Sequence, residues 1–102
     1  MQPHIMLLQA VDCLIERHFY GLSFWGEDGV TADEIAQAVG MPQRMMRTAT
    51  AGGLRAGGYE PERDAPPPLH VVVRFAAPPT ETMMRELAGA FGEPLINPGR
   101  PG

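Results

Sequence analysis

A chain of 102 residues with a 44% apolar share and a net charge of −4 has the size and composition of one globular domain. All 8 basic residues are Arg, set against 12 Asp and Glu, and the single Cys excludes both an internal disulfide and a cysteine-only metal site. No apolar run approaches the ~20 residues of a membrane-spanning helix. The first residues lack the basic stretch of a secretory signal, so a cytoplasmic protein with no membrane partner is expected. A core of this size leaves little room for a deep catalytic cleft, and the domain is read as non-enzymatic.

Ile5, Leu7, Leu8, Val11, Leu14, Ile15 and Phe19 recur at helical spacing. They predict a helix over 5–19 with that face inward and Asp12, Glu16 and Arg17 on the other side, entered near Pro3 and stopped by Gly21. Residues 21–30 read as a loop in which Phe24 and Trp25 anchor into the core, the alternative being an exposed aromatic contact. Thr31-Ala32-Asp33-Glu34 is a capping box that starts a short helix ending at Gly40. Pro42 suits the first turn of a second helix, which the sequence carries over 42–56. Gly52-Gly53 weakens that helix and Gly57-Gly58 closes it.

Residues 59–63 predict a short strand, and Pro66-Pro67-Pro68 a turn. The β-branched run from Leu69 to Phe75 is a second strand, which makes the pair a hairpin. Thr80 caps a last helix with Met83, Met84, Leu87, Ala90 and Phe91 inward. The expected division is one domain over 1–91 and a mobile tail over 92–102.

A short capped helix, a tight turn, an Arg-bearing helix and a hairpin follow one another in helix-turn-helix order. The expected fold is therefore α+β and helix-dominated: a winged helix-turn-helix with a C-terminal helix. The stretch Gly29-Val30-Thr31-Ala32-Asp33-Glu34-Ile35-Ala36-Gln37-Ala38-Val39-Gly40-Met41-Pro42-Gln43-Arg44-Met45-Met46-Arg47 resembles the helix-turn-helix of small bacterial winged-helix regulators. It is similar to the MarR family and to the family of the iron–sulfur cluster regulator IscR, and Leu54-Arg55-Ala56-Gly57-Gly58-Tyr59 resembles their passage into the wing. The resemblance covers about half the chain. It implies a transcriptional regulator that binds double-stranded DNA with helix 42–56 in the major groove, usually as a homodimer. The apolar faces of the first and last helices are the candidate dimer surfaces.

Charge placement argues in the same direction. Residues 1–34 carry a net −5 and residues 60–102 a net −2, whereas residues 35–59 carry +3 with no acid. Phosphate attraction acts locally, within about a Debye length, so an acidic chain with one basic segment remains able to bind DNA. Gln43, Arg44, Arg47 and Thr48 would point into the groove, where Arg suits guanine and Gln adenine. Thr31 and Arg55 suit phosphates, and Arg63 or Arg74 would act from the wing. Equally, Arg44 and Arg47 would serve as a plain solvated face.

The alternative is a degenerate winged helix that binds a protein partner as a small subunit of a larger complex. Glu60, Glu62 and Asp64 would set negative charge in the wing, and Thr50 and Gly53 stand where large aliphatic residues would seat the second helix. A continuous positive face around Arg44, Arg47 and Arg55 favours DNA, and its interruption favours protein. The iron–sulfur regulators ligate their cluster with several cysteines, so the lone Cys13 predicts no such cluster and reads as a small buried hydrophobe. The 7 Met read as core filler, and the His residues show no ligand spacing, so neither metal nor cofactor is expected.

Overall fold

The computed structural model describes residues 1–99. In chain order the elements are α1 (Pro3–Arg17), β1 (Tyr20–Trp25), α2 (Ala32–Val39), β2 (Met45–Met46), α3 (Ala51–Ala56), β3 (Pro61–Arg63), β4 (His70–Phe75), α4 (Glu81–Gly89) and β5 (Leu95–Ile96). The class is α+β: four helices with a three-stranded antiparallel sheet ordered β1-β4-β3 and a two-stranded ribbon of β2 and β5.

The sheet forms around the most β-prone segment of the chain. Val71, Val72 and Val73 favour extended backbone because branching at Cβ stiffens the side chain and packs well on a pleated surface. Successive side chains point to opposite faces, and Val72 and Val73 are both buried, so both faces of β4 are covered here. β1 lies along one edge of β4 with Tyr20 opposite Phe75 and Trp25 opposite His70, and β3 along the other with Pro61 opposite Val73.

β1 corrects the expectation of a loop over 21–30. Tyr20, Leu22 and Phe24 alternate at the strand period, and Leu22 is buried in the core. Gly21 disguises the pattern and also makes it possible. A Cβ there would lie 2.9 Å from Phe19 Cε2 and 3.2 Å from Val72 Cγ2. The missing side chain leaves room for the Phe19 ring, which stacks under the guanidiniums of Arg17 and Arg74 at 4.9 and 4.1 Å. Phe24 stacks on Phe91 at 5.3 Å, and Trp25 meets the His70 ring edge-on at 5.1 Å, both half-buried.

α1 forms as expected, but its orientation is a correction. Met6 and Ala10 are buried, whereas Ile5, Leu8, Val11 and Ile15 are exposed. Apolar residues occupy both sides of this helix, so its pattern alone does not choose a face. α1 packs against β1 and α4, and Ala10, fully buried, presents the smallest obstacle to that approach. α4 behaves as its pattern predicts. Thr80 accepts from Met83 N at its start, and Met84, Leu87 and Ala88 fill the core. Tyr59 closes the layer between them, its ring edge-on to Phe75 and its hydroxyl donating to Met83 O at 3.3 Å.

The helix expected over 42–56 is present only over its last part, as α3. Residues 41–50 are not helical, with a bend at Arg44 and only Met45–Met46 in a strand, and Thr50, with its side chain accepting from Gly53 N at 3.0 Å, caps a helix that starts at Ala51. The hairpin of β3 and β4 matches the expected strand pair. Residues 92–99 do not run as the start of a free tail: Leu95–Ile96 form β5, and Asn97 is buried. Residues 100–102 of that expected tail lie outside the described residues.

Candidate nucleic-acid interface

The seven residues singled out for DNA contact lie on four stretches: the start of α2, the connection from α2 to α3, α3 itself and β3. α2 begins with the predicted capping box. Thr31 Oγ1 accepts from Glu34 N at 3.2 Å and donates to Glu34 Oε1 at 2.9 Å, so both roles of the hydroxyl are taken by the cap. Gly40 ends α2 in the left-handed region at φ 64°, which glycine adopts without a Cβ clash.

The connection that follows is organised by the C-terminal segment. Met45 pairs with Ile96 and Met46 with Leu95. Asn97 N donates to Arg44 O at 3.0 Å, and Gly92 N to Thr48 O at 2.8 Å. The Asn97 side chain, 6% exposed, donates from Nδ2 to Gln43 O at 2.8 Å and Met41 O at 3.1 Å, while its Oδ1 accepts from Gly99 N. Arg47 Nε donates to Gly92 O at 2.7 Å. Gln43, Arg44, Arg47 and Thr48 therefore sit on non-helical backbone on either side of β2, and not on one helical face. No sequence signal marked Asn97, because its role depends on carbonyls more than fifty residues away.

Pairing with carboxylates also divides the positive charge. Arg55 Nε reaches both oxygens of Glu60 at 2.9 and 3.0 Å. Arg63 pairs with Glu27, and Arg74 with Glu62 at 3.2 Å. Arg85 pairs with Glu81 one turn earlier on α4. Among the described arginines, Arg44 alone has neither a carboxylate nor a carbonyl partner. Among the described residues, the Arg55–Glu60 pair interrupts the positive charge around Arg44, Arg47 and Arg55 that the DNA reading asked for.

The loop end of the β3–β4 hairpin is tied to α1 through Asp64. Arg17 NH1 and NH2 grip its two oxygens at 2.5 and 2.9 Å, and His70 Nδ1 lies 3.0 Å from Oδ2. The Arg17 hydrogen bonds hold the Asp64 carboxyl down at about 2. An unfolded Asp titrates near ~3.9, so this contribution to stability is complete above that pH and lost as the pH falls through about 2. Asp64→Asn should lower the melting temperature at neutral pH. It should also flatten the acid limb of a plot of melting temperature against pH between about 4 and 2, relative to wild type. Parallel acid limbs would show that Asp64 does not carry this linkage.

Cys13 is half-buried on α1, and burial pushes its thiol up, so it stays protonated and weakly nucleophilic at neutral pH. An open cleft beside the hairpin is lined by Glu27, Arg63, Pro66, Leu69 and His70, but Glu27 and Arg63 pair with each other there. Among the described residues no three His, Cys, Asp or Glu side chains gather as a metal site, and no helix is long and apolar enough to cross a membrane. On the β2–β5 ribbon, Met45, Leu95 and Ile96 are 45, 50 and 77% exposed. No known protein family, no curated protein and no solved structure matches this chain.

Proposed function

We propose that the chain is a cytoplasmic, non-enzymatic winged-helix domain that binds double-stranded DNA, with segment 42–56 as the reading element and the β3–β4 hairpin as the wing. The observation that carries this reading is the strand order. With the short ribbon of β2 and β5 set aside, the order α1, β1, α2, α3, β3, β4, α4 with β1 beside β4 is compatible with a winged helix and supports the reading. Supporting it are the capping box at the head of α2 and the run of Gln43, Arg44, Arg47 and Thr48 directly before α3. These are the positions through which the resemblance to MarR-like and IscR-like regulators assigns base contact. The ion pairs of Arg55, Arg63 and Arg74 do not forbid phosphate contact. Exposed pairs are worth about 0–1 kcal/mol and exchange partners readily.

Dimerisation belongs to the same proposal, and only one of the two expected surfaces is free for it. The apolar face of α4 is spent in the core, whereas Ile5, Leu8 and Ile15 of α1 face outward. A dimer would bring two half-sites under one binding event.

Fluorescence anisotropy on a random pool of duplex DNA tests the reading at low and physiological salt. Wild type should bind at low salt and weaken as salt rises, because counterion release dominates nonspecific affinity. Arg44→Ala/Arg47→Ala should bind more weakly, with a salt slope shallower by about 2 if both residues contact phosphates. Absence of binding at low salt would overturn the reading. The protein-contact alternative would then lead, favoured by the exposed apolar group Met45, Leu95 and Ile96.

A further inference from the structure

We propose that residues 92–97 are an intramolecular strap that keeps segment 42–50 out of a helix, and that release of the strap lets α3 grow back to Pro42 as one helix. The functional consequence, exposure of a DNA-reading face, rests on the reading above. The conformational switch itself does not.

The argument begins with acceptors. In a continuous helix each carbonyl accepts from the N–H four residues on. The carbonyls of Met41, Gln43, Arg44 and Thr48 would then accept from Met45, Arg47, Thr48 and Gly52. In the structure the same four accept from Asn97 Nδ2, Asn97 N and Gly92 N. The two arrangements therefore compete for the same acceptors. Asn97 is the centre of the competition: its one side chain bridges two carbonyls that helical geometry would turn inward along the helix axis.

Each arrangement also carries a weakness that keeps the other within reach. A ribbon of two residues per strand is marginal by itself, and this one exposes Met45, Leu95 and Ile96 instead of burying them. The helical alternative has good formers in Gln43, Arg44, Met45, Met46 and Arg47 behind a Pro at its first position. It is weakened by Gly52-Gly53 and by giving up the Thr50 cap on Gly53 N. Local contacts can tip a balance between two such arrangements.

Release would also gather charge. Arg47, whose Nε now bonds Gly92 O, would be freed. At roughly 100° per residue, Arg44, Arg47, Thr48 and Arg55 fall within about 100° of arc on a helix, whereas the strapped form scatters them. The open form would thus gather on one face three arginines that the closed form keeps apart.

Asn97→Asp in the full chain tests the strap, since the aspartate cannot donate to Met41 O or Gln43 O and sets a charge beside them. Backbone chemical shifts of residues 42–50 should move to helical values, far-UV circular dichroism should gain helix, and duplex affinity should rise about tenfold or more. The converse variant, Met45→Cys/Ile96→Cys with Cys13→Ser, joins directly paired positions. Oxidised, it should keep 42–50 non-helical with weaker DNA binding, and reduction should restore the wild-type values. Helix gain without any DNA binding would uphold the strap and overturn the DNA reading. Shifts of 42–50 that remain non-helical once residues 92–97 have lost their paired-strand shifts would overturn the strap. DNA affinity indifferent to oxidation of the cysteine pair would overturn the gating.

Discussion

Leu87→Ala should destabilise the domain by about 3 kcal/mol and lower its melting temperature by roughly 10–20 °C. Leu87 is 0% exposed and sits on α4 within the cluster that includes Met6, Ala10, Val73 and Met84. Truncation there removes buried methyl groups and leaves a cavity, since neighbours on three elements cannot all follow the lost atoms. Ile15→Ala is the matched control. It removes the same number of side-chain carbons, from α1, but Ile15 is 71% exposed in the single chain, and in the monomer the change should stay within about 0.5 kcal/mol. Urea denaturation of the two variants measures the contrast. Equal losses would mean that the outer face of α1 is covered in solution, as the proposed dimer requires, and a dependence on protein concentration would identify that case.

Tyr59→Ala should cost about 3–5 kcal/mol, whereas Tyr59→Phe should cost about 1 kcal/mol. The ring, 9% exposed, packs edge-on against Phe75 at a centroid distance of 6.2 Å, and the hydroxyl donates to Met83 O at the N-terminal end of α4. It thus joins the exit of α3, the central strand and the last helix. Most of its contribution is buried ring surface, and the longish 3.3 Å hydrogen bond adds a minor part. Chemical denaturation of both variants separates the two. A Phe variant as damaged as the Ala variant would assign the contribution to the hydroxyl instead.

Several elements were legible because their causes are local. The Thr31–Glu34 capping box, the Gly40 stop, the Thr80 cap and the valines of β4 act within a few residues of themselves, and each appears where its spacing placed it. The inward face of α4 was legible for the same reason, since one clean apolar stripe meets one core. β1 was missed although Tyr20, Leu22 and Phe24 alternate correctly, because Gly21 and Ser23 imitate a loop. The value of Gly21 lies in the Phe19 ring beside it, a contact that local pattern does not reveal.

The candidate site divides along the same line. Its residue types, the three arginines of segment 35–59 free of acids, were plain in the sequence. Their partners were not. Glu60 holds Arg55, Glu27 holds Arg63 across 36 positions, and Gly92 receives Arg47 across 45. Charge counted along the chain placed a basic segment, and in space one of its three arginines, Arg55, is paired with a carboxylate while Arg47 is held by a carbonyl.

By itself, then, the sequence determined the α+β class, the capped starts of α2 and α4, the hairpin and the identity of the central strand, all of which follow from propensity, caps and periodicity over short spans. Only the tertiary structure decided which face of α1 turns inward and whether segment 42–50 is helical. In α1 both faces are apolar, so the packing partner chooses. In 42–50 a good local helix pattern loses to Asn97 and Gly92, which reach back from the far end of the chain to take the carbonyls that the helix would have used.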